Sequence, residues 1–213
     1  MTIQSILQRL ITQCDESIRS INIVNDAHYL STDDLRTIRD MVVKQAFVSV
    51  YTEWEHFLED VTIAYSLGGV NPNGYSPHRF VLPQDEDHAD QLIKSSTAYF
   101  DWSKLEDVVK LEKSFFRDGE PFVAAINGFK SKYNEMKKVR NFIVHNSIKS
   151  REQFDSLVRT ALRASAVGIS PVEFLLSKKN SDPFFYNIYI THIKNAATLI
   201  ANFSPPSTGT DSD

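Results

Sequence analysis

"FVAAINGFKSKYNEMKKVRNFIVHN", residues 122–146, places apolar side chains at three- and four-residue intervals, with one charge where an apolar residue is due. At about 100° per residue, Phe122, Ile126, Phe129, Tyr133, Met136 and Val144 share one helix face. Arg140 falls in the centre of that stripe, and Asn141 and His145, one turn apart, stack on its flank. A guanidinium keeps its charge in any protein environment, so a site of this kind demands a carboxylate or an anionic ligand. Val139 and Phe142 point the other way. Two apolar residues there predict that the outer face is covered too, by another helix or by a second copy of the chain.

The helical period continues outward in both directions. Ile3, Ile6, Leu7, Leu10, Ile11, Cys14, Ile18 and Ile21 define an amphipathic first helix. A second starts at Ser31 or Thr32, favoured by Asp33 and Asp34 in its first turn, and runs as far as Leu67. Its length makes a break near the start reasonable, and Gly68-Gly69 stops it. Residues 70–86, with three prolines and an Asn-Gly pair, predict a long loop. A short helix follows over roughly 87–99. Ser103 and Glu106 form a capping box for another that ends at Asp118-Gly119, and Pro121 opens the motif helix. Ser150 with Gln153, and Ser170 with Glu173, cap two more. Asp182-Pro183 introduces the last, with Ile188, Tyr189, His192, Ile193, Ala196, Leu199 and Ile200 facing inward. Nothing alternates with period two for long enough to make a sheet. The expectation is one all-α bundle over 1–203, with an insertion over 68–118 and a disordered tail over 204–213.

The second helix offers the carboxylate. Val43, Ala46, Phe47, Val50, Trp54, Phe57 and Val61 trace its buried arc; Glu53 sits at the edge of that arc and Glu55 points further out. Either reaches an arginine on a neighbouring helix, and periodicity favours Glu53.

Composition narrows the class. One cysteine, Cys14, excludes an internal disulfide and fits a reducing compartment. No stretch approaches the ~20 apolar residues of a membrane span, and the N-terminus lacks the apolar run of a secretory signal, so a cytoplasmic location is expected. The net charge of −4 argues against broad non-specific nucleic-acid binding. Locally the balance inverts. Lys130, Lys132, Lys137, Lys138, Arg140, Lys149 and Arg151 stand against only Glu135 and Glu152, which reads either as a solvated face or as a phosphate-attracting patch.

"WEHF" at 54–57 with "VRNFIVHN" at 139–146 resembles the HEPN superfamily (higher eukaryotes and prokaryotes nucleotide-binding domains), in particular its prokaryotic ribonuclease and toxin-like branches. The family signature is an arginine, four to six residues, then a histidine, often with a polar residue after the arginine. Arg140, Asn141 and His145 match it. The resemblance covers roughly 35–65 and 121–165; residues 70–118 match no part of it. It maps the family glutamate onto Glu55, whereas the helical period prefers Glu53. Relatives more often carry glycine where this chain has His56.

The resemblance implies a four-helix core and a homodimer with two motifs in one cleft. It also implies a metal-independent endoribonuclease acting on single-stranded RNA, without a cofactor and without DNA specificity. The residue types suit that chemistry. RNA supplies its own nucleophile, the 2′-hydroxyl. Histidine moves protons near neutral pH, and arginine matches the phosphate oxygens. Asn141 would orient ribose, phosphate or His145, and the products would be a 2′,3′-cyclic phosphate and a 5′-hydroxyl. Lys137, Lys138, Lys149 and Arg151 are the candidate RNA contacts. No metal cluster is expected: His78 and His88 flank Asp85, Glu86 and Asp87 in a loop whose acidity reads as solvated surface. His56 and His192 read as packed or surface residues, and His28 lies in a connection. The implied setting is toxin-like or antiphage, with control by a regulatory or antitoxin protein. The competing readings are a non-catalytic HEPN assembly or ligand-binding module, and a purely structural role in which Arg140 neutralises a glutamate and His145-Asn146 finishes a helix.

Overall fold

The computed structural model describes residues 1–26, 33–95, 99–162 and 168–205. They form eight α-helices and no strand: α1 (Ile3–Asp26), α2 (Asp33–Ser66), α3 (Glu86–Lys94), α4 (Leu105–Phe115), α5 (Phe122–His145), α6 (Ile148–Leu162), α7 (Pro171–Leu175) and α8 (Phe185–Ala201). The chain is all-α, as the periodicities require. No helix among the described residues is long and apolar enough to cross a membrane. The expected caps at Ser31 or Thr32, His28, the end of the sixth helix at 163–167 and the tail from 206 lie outside the described residues.

α2 is one unbroken helix of 34 residues, a rod of about 50 Å, and it shows no break near its described start. α1 lies along it, burying Ile3, Ile6, Leu7, Leu10, Cys14 and Ile21. α5 packs on α8 and α6 and crosses α2 more sparingly. Aromatic rings connect the layers. Trp54 of α2 meets Phe129 of α5 edge-on at 5.3 Å, and Phe47 of α2 meets Tyr189 of α8 at 6.2 Å. A second chain of rings runs Phe142–Phe154–Phe174–Phe185 at 5.1, 5.7 and 4.6 Å, tying the last turns of α5 to α6, α7 and α8.

Several boundaries differ from the sequence reading, each for a local reason. Ser103 bonds Asp101 instead of capping a helix, so α4 begins at Leu105. α6 begins earlier than expected because Ser147, not Ser150, starts it: each serine hydroxyl accepts the other's backbone N–H. The Ser170–Glu173 capping box is present. Leu199, expected inside, is exposed.

The motif helix departs from the expected pattern near its end. Val139 is fully buried and Phe142 is covered by Phe154 of α6, so a neighbouring helix supplies the outer cover. Val144, expected in the core stripe, is exposed. The bundle ends about one turn short of it.

Candidate functional site

Arg140, Asn141 and His145 come together at the C-terminal end of α5. Arg140 Nη1 donates to Asn141 Oδ1 at 3.2 Å and lies 3.5 Å from His145 Nε2. Asn141 and His145, i and i+4, share one flank of the final turns of α5, and the long Arg140 side chain reaches across to both. Asn146 then adopts the left-handed conformation (φ 43°, ψ 34°), and its backbone N–H donates to the carbonyl oxygen of Phe142. His145 is exposed and Arg140 is half-buried, so the three residues sit at a boundary between core and solvent.

Neither glutamate forms the ion pair with Arg140 that the stripe demanded. Glu53 is taken by Arg9 of α1, whose guanidinium bonds Glu53 through Nε and Asp60 through Nη2, the latter at 2.6 Å. The edge position that made Glu53 attractive faces α1, not α5. Glu55 lies in the electrostatic field of Arg140 but outside ion-pair distance of it. Burial pushes the Glu55 carboxyl above its usual range, and Arg140 opposes that shift only in part. Among the described residues Arg140 has no carboxylate partner within salt-bridge distance, and its buried Nε has no hydrogen-bond partner.

The floor of the site was not legible from the apolar period alone. Tyr51 of α2 lies beneath the Arg140 guanidinium, 5.4 Å from its carbon to the ring centroid, and stacks on Tyr133 of α5 at 5.2 Å. Both hydroxyls are buried without a hydrogen-bond partner among the described residues. Burial raises the pKa of both phenols, so they remain neutral donors. Tyr51 is one turn before Glu55, and that i,i+4 relation was the available signal.

The basic window divides. Lys130 pairs with Glu106 at 3.0 Å, Lys132 pairs with Glu135 at 2.9 Å, and Lys137 donates to the carbonyl oxygen of Ser103 at 2.8 Å. Arg151 lies over the Phe142 ring. Lys138, Lys149 and Arg151 make no ion pair among the described residues. With Lys137, which meets only a backbone carbonyl, they are the basic residues of this window, apart from Arg140, that have no carboxylate partner among the described residues. His56 stands 3.7 Å from Glu53, and His192 stacks on Phe129, so neither joins the cluster. Among the described residues no three His, Cys, Asp or Glu side chains are grouped to hold a metal ion, His78, His88 and their acidic neighbours included.

Beside the last turn of α5, Ile143 and Val144 join Met41, Val42, Ala46 and Val48 of α2 and Gln13 and Ser17 of α1 around an open groove of about 730 Å³. No family model, no curated protein and no solved structure matches the chain.

Proposed function

We propose that the chain is a HEPN-type, metal-independent endoribonuclease that cleaves single-stranded RNA to 2′,3′-cyclic phosphate ends. The observation that supports this is Arg140. It is a half-buried guanidinium without a carboxylate partner among the described residues, clustered with Asn141 and His145 at an open helix end. In this reading the phosphate supplies the missing negative charge. The developing charge on the phosphorane falls on Arg140, which is already desolvated enough to act strongly. His145 moves the proton of the 2′-hydroxyl or of the leaving 5′-oxygen, and Asn141 holds the geometry. With one such histidine per chain, general acid and general base require two copies. The working unit is therefore a homodimer with the two His145 side chains facing a shared cleft. Toxin-like or antiphage action, controlled by a regulatory or antitoxin protein, fits an RNase of this kind.

The test is cleavage of a 5′-labelled single-stranded RNA in the presence of EDTA, with mapping of the product ends. Cyclic-phosphate ends that vanish in His145→Ala support the reading; metal-dependent cleavage or an unaltered mutant rejects it. Light scattering that gives a monomer at micromolar concentration would remove the composite site.

A second reading, a non-catalytic assembly or ligand-binding module working with a partner protein, is favoured by one feature. The groove beside Val144 leaves Met41 and Val144 exposed next to the motif. Wild-type protein that binds but never cleaves RNA would select it.

A further inference from the structure

Tyr51 of α2 is wholly buried, and its ring meets the Arg140 guanidinium across the helix pair, 5.4 Å from carbon to centroid. The ring is itself fixed. It stacks on Tyr133 at 5.2 Å with the planes 21° apart. Tyr133 meets Phe129 edge-on at 5.5 Å, and Phe129 meets Trp54 in the same way at 5.3 Å. The chain of rings thus begins and ends on α2 and passes through α5. Neither tyrosine hydroxyl has a hydrogen-bond partner among the described residues, so ring packing holds the cluster.

A carboxylate in this place would orient Arg140, but it would also offset the charge and take N–H donors. An aromatic face attracts the cation through its quadrupole, carries no net charge and accepts no conventional hydrogen bond from those donors. Arg140 Nη1 remains on Asn141 Oδ1 at 3.2 Å and stands 3.5 Å from His145 Nε2. We propose that Tyr51 is a positioning residue: its ring fixes the guanidinium against Asn141 and His145 and leaves the charge for the phosphate of the RNA strand. The inference rests on the ribonuclease reading of the site. In it α2, which carries none of the motif residues, sets the aim of Arg140.

The experiment makes Tyr51→Phe, then installs at the same position phenylalanine with one, two and three ring fluorines, which weaken the negative π face while nearly keeping the shape of the ring. Tyr51→Leu removes the ring altogether. Two readouts are taken: cleavage of single-stranded RNA, and the NMR signal of the Arg140 Nε–H, assigned by its loss in Arg140→Lys. Tyr51→Phe should match wild type in kcat and fold no less stably, because it deletes a buried hydroxyl that has no partner among the described residues. Fluorination should lower kcat and kcat/KM together, in step with the number of fluorines, by about 2- to 30-fold at three. The Arg140 signal should move along the same series and furthest in Tyr51→Leu. Tyr51→Leu also empties part of the core, so the fluorinated series, which does not, carries the decision. Wild type that cleaves, with kcat level across that series, overturns the positioning role and leaves the ribonuclease reading intact. An Arg140 signal that stays in place in Tyr51→Leu does the same. Loss of kcat in Tyr51→Phe equal to that in Tyr51→Leu assigns the effect to the hydroxyl and also overturns it. Wild type that cleaves no RNA overturns both.

Discussion

Two arginines sit at helix contacts of the same bundle and are treated in opposite ways. Arg9 joins α1 to α2 with a carboxylate on each branch, Glu53 and Asp60. Arg140 lies over the Tyr51 ring with no carboxylate partner among the described residues, and its Nε has no hydrogen-bond partner. The first is an ion cluster whose positive charge two carboxylates already offset. The second retains donors in a partly desolvated setting, where a phosphate would be held more strongly than in water. The difference separates an arginine whose charge is offset from one whose charge is not, and neither the residue type nor its helical register revealed it.

The sharpest way to break the comparison is chemical. His145→Ala and Arg140→Ala should each reduce RNA cleavage, the histidine variant by about 10²–10⁴. Both should melt within a few degrees of wild type in a calorimeter, because His145 is exposed and Arg140 leaves no paired carboxylate behind. The Arg140 part revises what the stripe alone requires, namely a fragile protein with an orphaned glutamate. A large loss of stability in Arg140→Ala, beyond about 3 kcal/mol, would return Arg140 to a structural role.

Arg9→Ala should do the reverse, lowering stability in urea by about 1–3 kcal/mol with catalysis per folded molecule unchanged. Glu53 is well covered, but Arg9 and Asp60 are partly exposed, so the cost falls between surface and buried pairs. Removing Glu53 and Asp60 together with Arg9 should recover part of it. Equal losses in the single and triple variants would show that the cluster is not the source.

A fully buried carboxyl widens the contrast. Glu112 of α4 is wholly inside, and burial raises its pKa to about 8. Thr62 has one hydroxyl proton and two oxygens near it, the Leu58 carbonyl at 2.7 Å and Glu112 Oε1 at 2.6 Å. A protonated Glu112 supplies the second hydrogen. Its folded pKa exceeds its unfolded one, so folding takes up a proton. The stability is then complete below about pH 4.5, falls as pH rises towards 8, and levels off above. Glu112→Gln should flatten that decline and gain on the order of 1–3 kcal/mol over wild type at pH 8. Parallel pH profiles for the two proteins would sink the assignment.

Much of the fold could be read from spacing. The apolar positions of α1, α2 and α8 give the all-α class and most of the core, because a 3.6-residue period reports which side is dry. The same logic failed at the end of α5. There the bundle stops supporting the stripe, so Val144 emerges, while Val139 is covered as its apolar side chain predicted. Arg140, Asn141 and His145 were identifiable because they share one short stretch of helix. Tyr51 beneath the guanidinium and the diversion of Glu53 to Arg9 were not, since each depends on which helix packs opposite. That is a tertiary choice, and local sequence does not encode it.

The corner between α5 and α6 has a dynamic consequence. A helix end normally frays, and a side chain there samples many orientations. Here Asn146 closes the last turn onto Phe142, only two residues separate the helices, and Ser147 and Ser150 bond each other across the start of the next. The Phe142 ring is itself clamped on Phe154. The amide of Asn146 should therefore exchange with solvent deuterium slowly for a terminal position, in step with the interior of the bundle. His145 is thus exposed at its ring while its backbone is held, so any ligand bound there would cost little further backbone ordering.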